Sequence, residues 1–177
     1  MALKRDSFSD LSTRVLTGAA IAIVGLGAVW AGSPWFTIFV AAVIGVLIWE
    51  LARMLDAPMN RALGLGASAG GLLLLTKLMT VGLGLPVGLA LPLLFLTGFA
   101  GLSLMPRNRT LFLVVTTLIM MASFGLITHR DTFGLTWMLW LVLVVAVTDI
   151  GGYFAGRMLG GPKFWPRVSP KKTWAGT

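Results

Sequence analysis

Residues 133–153 read FGLTWMLWLVLVVAVTDIGGY, and this stretch decides the class of fold. It contains a single charged residue, Asp149, close to its end. A helix needs about 20 mostly apolar residues to cross a hydrocarbon core about 30 Å thick. The stretch is apolar on every side, which favours a helix over a barrel strand, because barrel strands alternate apolar and polar residues. It therefore predicts a transmembrane helix.

The rest of the chain repeats this pattern. Of its 177 residues, 57% are hydrophobic and 11% are charged, and the mean hydropathy is +0.92. A soluble domain of this size could not bury so much apolar surface, and a disordered chain would contain far less of it. The sequence predicts an all-α integral membrane protein with about six transmembrane helices. The predicted spans lie near residues 15–31, 35–51, 62–80, 87–105, 111–128 and 133–153.

The basic residues are distributed unevenly between the connections. Twelve of the 14 Lys and Arg residues lie in the arm of residues 1–14, in the loops after the second and fourth runs, and in the tail of residues 156–177. Only Lys77 and Arg130 lie in the alternate connections. Cytoplasmic segments are enriched in Lys and Arg, so both termini are predicted to be cytoplasmic. This orientation also accounts for the net charge of +8, and nucleic acid is not expected as a partner.

Several kinds of active site are excluded by what the sequence lacks. It contains no cysteine, which removes disulfides, thiolate nucleophiles and thiolate metal sites. It has no GxxxxGK[ST] loop, no GxSxG elbow and no HExxH motif. Its one histidine, His129, falls in a predicted loop on the non-cytoplasmic side. A catalytic triad is therefore not available.

Two carboxylates near the cytoplasmic ends of spans are candidates for chemistry, because ionisable groups in a membrane are costly. Asp149 could bind Mg²⁺ through its oxygens or pair with Arg157. Glu50 could do the same or pair with Arg53 at i+3. Asp149, Tyr153 and Arg157 recur at intervals of four residues, which places them along one stripe of a continuing helix.

The tail is the second candidate region. Residues 162–177 read PKFWPRVSPKKTWAGT, which combines Lys and Arg with hydroxyl groups and glycine. This composition suits phosphate binding. A basic anchor at the headgroup layer, with Phe164, Trp165 and Trp174 as its aromatic residues, is the alternative.

The motifs DIGGYFAGR at residues 149–157, Gly160-Gly161, and SPKKTWAG at residues 169–176 together resemble the phosphatidate cytidylyltransferase (CDP-diacylglycerol synthase) family. The Trp49-Glu50 pair is also similar to that family. The resemblance implies a multi-pass enzyme of the bacterial-type inner membrane that converts CTP and phosphatidate into CDP-diacylglycerol and pyrophosphate with Mg²⁺. The resemblance is also compatible with a homodimer.

The resemblance also implies roles for individual residues, with residues 156–177 as the start of the nucleotidyltransferase site. Asp149 is the candidate metal ligand, and Glu50 is the weakest candidate of all. The catalytic candidates are Asp149, Lys171 and Lys172. The substrate-binding candidates are Tyr153, Arg157, Ser169 and Thr173.

The sequence departs from the family pattern in two places. The family commonly has Trp-Glu-Gly where this chain has Trp174-Ala175-Gly176, so no role is assigned to Ala175. The family also carries a later signature with a Lys-Asp pair, a His-Gly-Gly and an Asp-Arg-x-Asp, which is absent here. The sequence is therefore predicted to be the N-terminal two-thirds of such an enzyme and to catalyse poorly alone.

Two other classes of protein compete with this interpretation. A small polytopic transporter or channel subunit is expected to show internal repeats and broken helices near the midplane. The sequence shows no repeat, and only the Gly- and Pro-rich connection from Val81 to Pro92 could be a broken helix. A purely structural membrane subunit would leave Asp149 and the basic tail without a role.

Overall fold

The computed structural model describes residues 3–165 and 169–174, with side chains described for residues 16–164, 173 and 174. This part of the chain is mostly helical. It divides into two compact units, Met1–Thr132 and Phe133–Thr177.

The first unit consists of helices. They are α1 (Leu3–Ala31), α2 (Trp35–Met54), α3 (Met59–Lys77), α4 (Val87–Ala90), α5 (Leu93–Leu104) and the first part of α6 (Arg109–Met158). A π-helical turn, Leu78–Gly82, follows α3. The predicted span 87–105 is divided between α4 and α5 near Pro92, a residue that has no N–H to donate to a helix.

Four helical stretches in the described residues are long and apolar enough to cross a membrane, which confirms the prediction of a helical membrane protein. They are Trp35–Met54, Met59–Gly82, Val87–Leu104 and Arg109–Met158. Leu16–Ala31 is a shorter apolar helix, and α1 as a whole begins inside the predicted polar arm. The count of six spans stays a prediction.

The longest helix corresponds to the last two predicted spans. α6 has 50 residues and consists of two helical segments, residues 109–133 and 135–158, each long enough to cross a hydrocarbon core. The predicted break at His129–Asp131 is not where the helix is interrupted. The interruption lies at Gly134, with φ 83° and ψ −171°, a conformation that is essentially restricted to glycine. Arg130 and Asp131 remain helical because their side chains have partners in the first unit.

Helices α2 and α3 pack through small residues at very close range. A Cβ built on Gly66 would collide with the Gly45 carbonyl oxygen and would lie 2.9 Å from the Trp49 Cβ. A Cβ on Gly70 would lie 2.8 Å from the carbonyl oxygen of Ala41. Gly66 and Gly70 form a GxxxG pattern, which allows helix backbones in membranes to approach closely.

We expect Gly66→Ala to destabilise the first unit by about 1–3 kcal/mol, because the added methyl group meets the backbone of α2 and cannot be relieved by a rotamer change. Unfolding in mixed detergent, followed by circular dichroism, measures the effect. Gly64→Ala is the matched control in the same helix, since nothing lies within 4 Å of its Cβ position. It should be neutral or stabilising by about 0.5–1 kcal/mol. Equal melting of the two variants would contradict the close packing.

The second unit contains the rest of α6 and a β-hairpin. The helix ends at Met158, before Gly160 and Gly161, which both have positive φ as is common after a helix C-terminus. Strands β1 (Lys163–Trp165) and β2 (Ser169–Thr173) are antiparallel, with Lys163 opposite Thr173. This hairpin departs from the prediction of an all-helical chain.

Candidate functional site

Asp149 lies in the second part of α6 with its side chain exposed. Among the described residues it has neither a hydrogen bond nor an ion pair. The predicted alternative of a pair with Arg157 is not formed. The Arg157 guanidinium Nη1 instead donates to the Tyr153 hydroxyl at 3.0 Å.

The predicted stripe of Asp149, Tyr153 and Arg157 is present, because α6 continues to Met158 without interruption after Gly134. Four residues of helix rise about 6 Å, so Tyr153 lies about 6 Å along the axis from each of the other two, and Asp149 and Arg157 are about 12 Å apart. Arg157 lies in the last turn, where the helix dipole favours a cation. The Tyr153 ring also contacts Phe154 edge to face, with centroids 5.7 Å apart.

The hairpin is attached to the end of this helix. The Thr173 hydroxyl donates to the Gly156 carbonyl at 3.5 Å, and the Trp174 amide donates to the Pro162 carbonyl at 3.1 Å. The rings of Phe164 and Trp174 pack edge to face, with centroids 4.7 Å apart. These contacts bring the start of the basic tail next to the end of the helix that carries Asp149.

The side chains of Ser169, Lys171 and Lys172 lie outside the described residues, as does Ala175. The backbone of the first three forms β2, which ends at Thr173. Residues 156–177 contain five basic residues and no acidic one. The segment therefore carries a positive charge suited to phosphate.

A metal at this site would have few protein ligands. The described part of the chain has no group of three or more His, Cys, Asp or Glu side chains that could hold a metal ion. Mg²⁺ is usually bound by one or two carboxylates together with substrate phosphates and water. Asp149, exposed and without a partner among the described residues, fits the role of a single carboxylate ligand.

Glu50, the weakest candidate, lies exposed in the last turns of α2. The predicted ion pair with Arg53 is not formed. Arg53 instead donates to the Ala57 carbonyl at 2.9 Å, because the C-terminal end of a helix leaves carbonyl groups to be satisfied.

The structure assembles a polar cluster that the sequence analysis did not predict. The Lys77 ammonium lies 2.5 Å from one Asp131 carboxylate oxygen, and the Ser33 hydroxyl donates to the other at 2.8 Å. Arg130 donates to the Val29 carbonyl at 2.8 Å. The signal in the sequence is that Lys77 and Asp131 are opposite charges in connections predicted on the same side of the membrane.

Four arginines lie at the end of the first unit that is opposite the Lys77–Asp131 cluster. Arg53 binds the Ala57 carbonyl, Arg61 donates to the Leu104 carbonyl at 3.2 Å, and Arg109 donates to the Met105 carbonyl at 3.0 Å. Arg107 forms an exposed pair with Asp56 at 3.7 Å. We call this group, Arg53, Arg61, Arg107 and Arg109, the basic rim.

Comparison with known proteins identifies relatives of the whole chain. The model of the cytidylyltransferase family matches residues 12–177. A phosphatidate cytidylyltransferase of Brucella suis biovar 1 (strain 1330) is 33% identical over 95% of this chain and 62% of its own length. One of Bacillus subtilis (strain 168) is 32% identical over 94% of this chain and 66% of its own length. The chain therefore spans a little under two thirds of these curated relatives.

A shorter match of higher identity is to a phosphatidate cytidylyltransferase of Staphylococcus haemolyticus (strain JCSC1435), 49% identical over 43 residues, or 24% of this chain and 16% of that protein. No solved structure gives a significant match to the chain. The relatives support the predicted resemblance, and the alternative of a transporter or channel subunit finds no support.

Proposed function

Because the chain belongs to the cytidylyltransferase family, we propose that its protein transfers a cytidylyl group from CTP to phosphatidate. An oxygen of the lipid phosphate attacks the α-phosphorus of CTP and forms the new P–O bond. The bond between the α-phosphorus and its bridging oxygen breaks, and pyrophosphate leaves. The products are CDP-diacylglycerol and pyrophosphate. The observation that carries the proposal is the family match, which extends over residues 12–177 and includes the whole candidate site.

The chain's own residues would act mainly by position and charge, since phosphoryl transfer needs little covalent chemistry from a protein. Arg157, oriented by its bond to Tyr153, would bind a phosphate oxygen. Thr173, held beside the end of α6, would fix the hairpin so that Ser169, Lys171 and Lys172 contact the phosphates of CTP or of the lipid. These roles are supported by the exposed side chains of Arg157 and Lys163 in the unit that also carries Asp149.

Asp149 would hold Mg²⁺ together with the substrate phosphates, as a single carboxylate can do for this ion. The bound ion would neutralise charge on the phosphate oxygens. The role of Asp149 itself would be to fix that charge on the helix that carries Arg157, two turns before it.

We also propose six spans, cytoplasmic termini and an inner-membrane location. The length of α6 is sufficient for two crossings with an interruption at Gly134. The basic rim places four arginines at the turns α2–α3 and α5–α6, whereas the other end has two basic residues, Lys77 and Arg130, and Lys77 is paired with Asp131. This asymmetry supports an orientation with the basic rim in the cytoplasm.

The proposed function is tested in membranes from cells that express the gene encoding this chain. We expect labelled CTP to enter CDP-diacylglycerol in a reaction that requires phosphatidate and Mg²⁺. Omission of phosphatidate and chelation of the metal are the controls. Incorporation no higher than in membranes without the gene would contradict the proposal.

Replacement of both Lys171 and Lys172 by alanine should raise the KM for CTP or for phosphatidate about tenfold or more, because each charge-assisted bond to a phosphate contributes about 1.5–3 kcal/mol. The same membrane assay measures this with each substrate varied in turn. Lys4→Ala with Arg5→Ala removes two basic residues from the other end of the chain and serves as the matched control. An unchanged KM for both substrates would favour the alternative in which the tail is a membrane anchor.

A further inference from the structure

An open apolar groove runs between α2 and α3, with a cavity volume of about 450 Å³. It extends from Ile38 to Trp49 on α2 and from Leu63 to Leu74 on α3. The groove exists because small residues line it, among them Ala42 and Ala67, whose side chains are exposed and too short to fill it. The lining is almost entirely apolar.

The length of the groove limits what can occupy it. From Ile38 to Trp49, α2 rises about 16 Å. This is about half of a hydrocarbon core about 30 Å thick, which is the depth of one leaflet. An acyl chain of one leaflet matches this length, whereas a neighbouring helix would cross the whole core.

One end of the groove lies next to the basic rim. Arg53 follows Trp49 by four residues, so it continues the groove-lining face of α2, and its side chain is exposed. Its bond to the Ala57 carbonyl uses one of the five guanidinium N–H donors. Glu50 and Asp56 are the acidic residues at this end, against the four arginines of the rim, and Asp56 is paired with Arg107.

From this geometry we infer that the groove binds an anionic glycerophospholipid, with one acyl chain between α2 and α3 and the phosphate at Arg53. The acyl chain fills the apolar space that the small residues leave between the helices. The phosphate accepts charge-assisted hydrogen bonds from the Arg53 guanidinium. The site lies in the first unit, and the inference does not depend on the reaction proposed for Asp149.

Lipid retention by the purified 177-residue chain in a neutral detergent tests the inference. The chain is mixed with phosphatidylglycerol and with phosphatidylcholine of the same acyl chains, and native mass spectrometry measures the lipid-bound fraction. Ala42→Leu fills the groove and should lower retention of phosphatidylglycerol about tenfold. Ala67→Leu fills it from the facing helix and should do the same. Ala122→Leu makes the same change at an exposed position of α6 and should have no effect.

Arg53→Gln distinguishes the charge from the groove. It should reduce the preference for phosphatidylglycerol over phosphatidylcholine about tenfold, while Arg107→Gln, at the exposed ion pair of the same rim, leaves that preference unchanged. The inference would be overturned if Ala42→Leu, Ala67→Leu and Ala122→Leu all lowered lipid retention equally. The inference would also be overturned if Ala42→Leu left lipid retention unchanged but converted a dimer into a monomer. The occupant of the groove would then be a second copy of this polypeptide.

Discussion

Asp149→Asn is expected to lower kcat/KM for CDP-diacylglycerol formation at least about 100-fold in the membrane assay. The substitution keeps the size of the side chain and removes its negative charge, so it removes the proposed Mg²⁺ ligand. Loss of one electrostatic contact to the reacting phosphates has an effect of this order in other enzymes. The measurement is the rate of CTP incorporation at several concentrations of CTP and of Mg²⁺.

The surroundings of Asp149 in the structure lead us to expect no folding defect from this substitution. The Asp149 side chain is exposed, and among the described residues it makes no hydrogen bond or ion pair that asparagine would break. The amount of protein in the membrane should therefore be unchanged. Asp56→Asn makes the same substitution at another exposed carboxylate, in the α2–α3 turn, and should retain near-normal activity. Activity of Asp149→Asn within a factor of about three of wild type would remove this residue from the site.

The sequence is most informative where a structural feature depends on neighbouring residues. The apolar run from Trp35 to Leu51 corresponds closely to α2, Trp35–Met54, because a hydrophobic run bounded by polar residues defines a membrane helix. The spacing of Tyr153 and Arg157 likewise predicts a shared face, and the structure joins them by a hydrogen bond. These features need no information from distant parts of the chain.

The features that were not predicted depend on contacts between distant residues. His129, Arg130 and Asp131 read as a polar break, yet they remain helical. Val29 near the end of α1 and Ser33 in the α1–α2 turn supply partners to Arg130 and Asp131. The groove between α2 and α3 requires the register of Gly45 against Gly66, which periodicity within one helix does not specify. The side chains of the basic tail stay a prediction from the family resemblance.

The ion pair of Lys77 with Asp131 should give the largest effect on stability. The two side chains are 14% and 26% exposed, so either charge left alone would lie in a largely apolar surrounding. Removal of one partner from a buried pair costs about 3–5 kcal/mol, and partial exposure lowers this to about 2–3 kcal/mol here. We therefore expect Lys77→Ala and Asp131→Ala each to destabilise the first unit by about that amount.

The double variant should lose less than the sum of the two single losses, since it removes both charges together. The expected coupling energy is about 1–2 kcal/mol, measured by unfolding in mixed detergent at constant pH. The pair of Arg107 and Asp56 provides a matched cycle, because these side chains are 75% and 69% exposed and 3.7 Å apart. Exposed pairs of this kind contribute about 0.5 kcal/mol or less. Equal coupling in the two cycles would show that the Lys77–Asp131 pair does not hold α3 and α6 together.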